Sequence, residues 1–133
     1  MYLVDTNVWL ERLLDQEKAD EVRNFLDKKP AKILHLTDFA LHSIGLITVR
    51  LGKVELFRQF LRDAFLAESV RIIRLAPEDL GAVAKKVEEF RLDFDDAYQY
   101  VAAEKENLTI VSFDRDFDRT SKGRKTPAEA IQE

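Results

Sequence analysis

The sequence predicts an α/β fold: a three-layer α/β/α sandwich around a central, mostly parallel sheet. Three observations carry that expectation. Short β-like apolar runs alternate with longer runs of helical period, the helical runs are long enough for right-handed crossovers, and no repeat or low-complexity tract breaks the alternation. The 133 residues suit one domain spanning 1–133, because a single core usually serves about 100 to 200 residues. A hydrophobic share of 46% with only 4 Gly and 3 Pro supplies core material and little linker.

Tyr2-Leu3-Val4 is a short apolar run ended by Asp5-Thr6-Asn7, which reads as strand and turn. A helix from Val8 to Leu14 follows, with Asn7 as N-cap. A second helix, from Lys18 to Lys28, gathers Ala19, Val22, Phe25 and Leu26 on one side and stops at Pro30. Ile33 to Leu36 is the second strand. Thr37 or Asp38 caps a third helix reaching Leu51, Gly52 lies past its end, and Val54 to Phe65 forms a fourth. Ser69 to Leu75 is the third strand. Pro77 suits the first turn of a fifth helix, whose Leu80, Val83, Ala84, Val87 and Phe90 follow the helical period. A sixth, from Phe94 to Glu106, buries Ala97, Tyr98, Val101 and Ala102 and stops at Asn107, before a strand from Leu108 to Ser112. The tail then turns polar.

Composition excludes several classes. Without cysteine there is no disulfide framework, thiolate zinc site or cysteine nucleophile, which fits a reducing compartment. The longest uncharged apolar stretch, Phe39 to Val49, is too short to span a bilayer, and the first residues lack the pattern of a signal peptide. The expectation is a cytoplasmic protein with no membrane partner. A net charge of −4 argues against holding nucleic acid by global charge alone, although Arg119, Lys122, Arg124 and Lys125 form a local basic cluster. Neither glycine-rich phosphate-binding pattern occurs, nor Gly-x-Ser-x-Gly.

In open parallel sheets the ligand site lies beyond the carboxyl ends of the strands. Asp5 follows the first strand, Asp38 and His42 the second, and Asp114 and Asp116 the fourth, while Asp96 opens the sixth helix. Taken alone, each acid reads as a helix cap, an ordinary turn or an ion-paired turn. Together, Asp5, Asp96, Asp114 and Asp116 make a hard-cation site for Mg²⁺ or Mn²⁺, an arrangement suited to phosphodiester hydrolysis.

Asp5-Thr6-Asn7 after the first strand, Asp95-Asp96-Ala97 opening a helix that runs into Val101-Ala102-Ala103, and Ser112-Phe113-Asp114-Arg115-Asp116-Phe117 after the last strand resemble the successive motifs of PIN-domain ribonucleases. The resemblance is to the VapC-like toxins of prokaryotic toxin-antitoxin pairs, and it extends to Thr126-Pro127-Ala128-Glu129. It implies a PIN-like, Rossmann-like sandwich and an endoribonuclease dependent on Mg²⁺ or Mn²⁺. It also implies frequent homodimers and a small antitoxin whose C-terminal segment covers the cleft. Asp5, Asp96, Asp114 and Asp116 match the family's acids, Ser112 matches a small hydroxyl residue that orients the last loop, and Asn7 has a supporting place. The family's usual Glu after the second strand is absent. His42 or Ser43 sits nearest; His42 can ligate or hydrogen-bond, or Asp38, one turn earlier, can reach inward instead.

Arg115, Arg119, Lys122, Arg124 and Lys125 lie on or after the last acidic loop, where RNA phosphates could be held. Phe39, Leu46, Ile47, Leu56, Phe57, Phe60, Leu61 and Phe65 on the third and fourth helices serve a core, a dimer interface or a partner's seat. Trp9 and His35 read as structural. The rival reading is a PIN-like module that binds RNA or a protein without cutting, motivated by His42 where Glu is usual. A receiver-like phosphoacceptor ranks lower, because the third strand ends in Arg74-Leu75-Ala76 rather than in an acceptor acid.

Overall fold

The computed structural model describes residues 1–67 and 69–133. Four strands, β1 (Tyr2–Val4), β2 (Leu34–Thr37), β3 (Arg71–Ile73) and β4 (Thr109–Val111), pair in parallel in the order β3-β2-β1-β4. Seven helices surround them among the described residues. They are α1 (Thr6–Leu13), α2 (Ala19–Lys28), α3 (Asp38–Arg50), α4 (Val54–Leu61), α5 (Leu80–Phe90), α6 (Phe94–Glu106) and α7 (Pro127–Ile131). No helix among the described residues is long and apolar enough to cross a membrane.

The three layers follow from strand pleating, in which alternate residues face opposite sides. Tyr2, Val4, Leu34 and Leu36 join a core with Val8, Trp9, Val22, Phe25, Ile44 and Phe60 from α1 to α4. Leu3, Ile73, Leu108 and Ile110 join a second core with Val83, Ala97, Tyr100 and Val101 from α5 and α6. Trp9 is 5% exposed, meets Phe60 edge to face at 5.4 Å and donates its Nε1–H to the Val4 carbonyl, so it is a core residue. His35 is buried beside the Tyr2 carbonyl, its Nδ1 at 3.2 Å.

The element boundaries depart from expectation where side chains chose between caps. α1 starts at Thr6, because Asp5 is extended and its carboxylate accepts from Thr6 N–H at 2.7 Å. Asn7, expected as the cap, instead reaches across to the Ser112 hydroxyl and the Phe113 N–H. Thr37, not Asp38, caps α3, its Oγ1 accepting from Ala40 N–H at 2.9 Å. β3 is shorter than Ser69 to Leu75 because it is an edge strand paired only with β2, over Arg71 to Ile73. The fourth helical segment continues beyond α4 as a π-helical turn, Arg62–Leu66.

The tail is more structured than its polarity suggested. Arg115–Arg119 forms a 3₁₀ turn, Lys125 bridges β4 at Val111, and α7 is started by a capping box between Thr126 and Glu129. The chain runs from β1 outward through β2 to β3, then returns to the far side of β1 as β4. The order therefore reverses between β1 and β4, and their carboxyl ends frame the crevice where such sheets bind ligands.

Candidate metal centre

Asp5 directly follows β1 and continues its ladder, its N–H donating to the Val111 carbonyl at 2.9 Å. The carboxylate is 5% exposed and accepts from three elements. Oδ1 takes Thr6 N–H and the Gln99 amide of α6; Oδ2 takes the Ser112 hydroxyl at 2.7 Å. Ser112 Oγ in turn accepts from Asp114 N–H at 2.9 Å and from the Asn7 amide at 3.3 Å. One hydroxyl thus joins the end of β1 to the loop after β4, its single proton and both lone pairs in use. Asp114 Oδ1 accepts from Asp116 N–H at 2.8 Å and opens the 3₁₀ turn.

Asp96, in the first turn of α6, is 7% exposed. Two groups of carboxylates bring ligand atoms within 4.8 Å of one another among the described residues: Asp96 with Asp114 and Asp116, and Asp96 with the exposed Asp93 and Asp95. Asp96 is common to both. Burial, reinforced by the charges of Asp5, Asp114 and Asp95, pushes its pKa up to about 8. Asp5 is also raised, by burial foremost and then by Asp114, against the lowering effect of its hydrogen bonds to Ser112, Gln99 and Thr6. Negative charge is therefore crowded at the switch point with little to offset it.

That donor set fits a hard divalent cation. It is all oxygen and is concentrated on Asp96, Asp114 and Asp116. Behind it, on the amide that donates to Asp5, Gln99 Oε1 is buried without a hydrogen-bond partner among the described residues. The base that touches the trio is Arg119, whose Nη1 donates to Asp116 Oδ1 at 2.8 Å. Arg119 also donates to the carbonyls of Phe90 and Arg91, tying the acidic turn to the left-handed end of α5.

The residues expected after β2 take another course. Asp38 Oδ1 accepts from the Tyr98 hydroxyl at 2.8 Å and from Phe39 N–H, while the same hydroxyl accepts from Leu75 N–H at 3.0 Å. His42 is exposed on α3. Neither belongs to a carboxylate group of the cleft among the described residues.

The basic residues divide similarly. Arg124 binds Asp118 with two nitrogens and the Ser112 carbonyl with the third, and Lys125 pairs with Glu133. Arg119 is engaged as above. Among the described residues Arg115 and Lys122 make no ion pair. Gln99 is a site residue that sequence motifs do not mark out. Its signal in the sequence is an amide three residues after Asp96, inside a run from Ala97 to Ala103 that is otherwise apolar.

A parallel sheet with carboxylates crowded at its switch point defines an α/β domain with an acidic cleft. The PIN domain model matches residues 2–123, and the chain belongs to that family. Solved structures share the fold. FitAcB from Neisseria gonorrhoeae superposes with a TM-score of 0.79 at 21% identity, covering 96% of this chain and 98% of that one. VapC20 of Mycobacterium tuberculosis, a sarcin-ricin loop cleaving toxin, gives 0.78 at 16% identity, over 92% of this chain and 96% of that one. A toxin-antitoxin complex from Klebsiella pneumoniae gives 0.76 at 18% identity, with coverage of 97% and 99%. No curated protein matches the chain.

Proposed function

We propose that this PIN domain is a divalent-metal-dependent endoribonuclease and the toxin of a cytoplasmic toxin-antitoxin pair. The observation that carries the reading is the convergence of Asp96, Asp114 and Asp116, with Asp5 behind them, where the strand order reverses. Asp96, Asp114 and Asp116 would hold Mg²⁺ or Mn²⁺, and Asp5 would complete the acidic field. Such an ion lowers the pKa of a water and offsets charge developing on a phosphate. The chain's own residues then orient and bind. Ser112 and Asn7 fix the loop after β4, Arg119 holds Asp116, and Arg115 and Lys122 have free cations for RNA phosphates.

Partners follow from the surface and from likeness. One similar structure is a toxin-antitoxin complex. A cavity of about 280 Å³ between α1, α2 and α4, whose lining includes Trp9, Leu13, Leu26 and Phe60 together with Arg12 and Arg23, would seat an apolar antitoxin segment. Leu46, Val49, Leu51 and Val54 are each at least 42% exposed and would face a second copy of the chain.

The test is cleavage of mixed single-stranded RNAs with Mn²⁺, Mg²⁺ or EDTA. Wild type should cut only with metal, and a folded Asp96→Asn variant should lose about 100-fold or more of that activity. The second reading, a non-cutting RNA- or protein-binding module, is favoured by the engagement of Asp38 with Tyr98 and by His42 belonging to neither acid group among the described residues. Equal activity of wild type and Asp96→Asn, or binding without cleavage, would select it.

A further inference from the structure

Gln99 lies three residues beyond Asp96 on α6, so the two side chains leave the helix on one face. It is 3% exposed and flanked from Ala97 to Ala103 by buried residues. Its Nε2 donates to Asp5 Oδ1, while its Oε1 has no partner. A buried amide used at one end only is a costly way to fill space, because Met or Leu would pack there with no polar atom left over. The amide also completes a set of three donors on Asp5 that come from α1, α6 and the end of β4. Being neutral, it orients the carboxylate without supplying a charge that competes with a cation.

We propose that Gln99 is a positioning residue of the cation centre. It holds Asp5 through its amide N–H and keeps Oε1 as a neutral acceptor for the hydrated cation. The inference rests on the cation reading of the cleft and deepens it. Groups that orient metal ligands by hydrogen bonding typically cost about 10- to 100-fold in metal affinity when removed.

The experiment measures Mn²⁺ affinity by calorimetry and by the free-Mn²⁺ electron paramagnetic resonance signal, without RNA, alongside thermal melts of the metal-free protein. Wild type and Asp114→Asn test the cation reading; Gln99→Met and Gln99→Asn test the role of the amide. Gln99→Met trades an orphaned acceptor for a lost hydrogen bond to Asp5, so it is expected to fold with a melting temperature near that of wild type and to bind Mn²⁺ at least about tenfold more weakly. Gln99→Asn, with the amide withdrawn by one methylene, is expected to lose affinity as well and covers the case in which Gln99→Met does not fold. A folded variant that keeps wild-type Mn²⁺ affinity overturns the role of Gln99 and leaves the cation reading standing. Wild type that binds no Mn²⁺, or binds it no better than Asp114→Asn, overturns the cation reading and the inference together.

Discussion

The carboxyl ends of β1 and β2 begin alike and finish differently. Each strand runs straight into a helix and presents an acid at the junction, Asp5 in one case and Asp38 in the other. Asp5 stands where strand order reverses, with α6 and the loop after β4 closing over it, and it feels the charges of Asp96 and Asp114. Asp38 accepts from the Tyr98 hydroxyl, and the Phe39 ring lies tilted at 5.5 Å from the same tyrosine ring. A strand-end acid becomes part of a centre when other carboxylates converge on it; a phenol in their place makes it a structural acceptor.

The largest expected contrast between the two ends is in pH dependence. The folded pKa of Asp96, about 8, lies above its ordinary value of 3.8, so the folded state binds more protons than the unfolded chain between those values. Metal-free stability should therefore fall as pH rises from about 4 to about 8 and level off above that. Asp96→Asn should flatten the slope, and Mn²⁺ should restore stability at the alkaline end. Thermal melts across the range check this, and a profile that rises over the interval would refute the crowded-charge account.

A smaller contrast separates the two kinds of arginine. Arg124, its side chain 13% exposed, anchors Ser112 and Asp118, so Arg124→Ala should cost about 1 to 3 kcal/mol of stability in denaturant titrations. Arg115→Ala should change stability by less than about 0.5 kcal/mol. It should instead weaken RNA binding across sequences and reduce the salt dependence by about one unit of slope.

The smallest effects belong to the β2 end. Tyr98→Phe removes a donor to Asp38 and an acceptor for Leu75 N–H, and should cost about 1 to 2 kcal/mol without altering Mn²⁺ affinity. His42→Ala should change neither stability, within about 0.5 kcal/mol, nor Mn²⁺ affinity. A loss of Mn²⁺ binding in either variant would draw the β2 end into the centre and erase the comparison.

The α/β architecture was legible because α5 and α6 carry long apolar periods and because Thr37, Gly52 and Asn107 punctuate helices in ways that local chemistry dictates. Gly52 and Asn107 do adopt left-handed backbone at φ 70 and 55. Asp5 and Asp114 could be anticipated at one edge from strand ends, while Asp96 joins them from the first turn of α6. Gln99 could not, since its partner Asp5 is 94 positions away and an amide in a helix carries no mark of what it faces. The engagement of Arg124 was hidden for a related reason: one of its acceptors is a backbone carbonyl, which every residue has. α7 has five residues, too few for a hydrophobic period to register.

The sheet order has a consequence for assembly. β1 is synthesised long before β4, yet they are neighbours, and the hydroxyl joining their ends links positions 107 apart. Such distant pairing must overcome most of the loop-closure entropy of the chain before any contact rewards it. A nascent chain carrying β1, β2 and β3 holds Asp5 but lacks Asp96, Ser112, Asp114 and Asp116. The ribosome therefore releases the last of these acids late, and every fragment that ends before Asp116 carries the cluster incomplete.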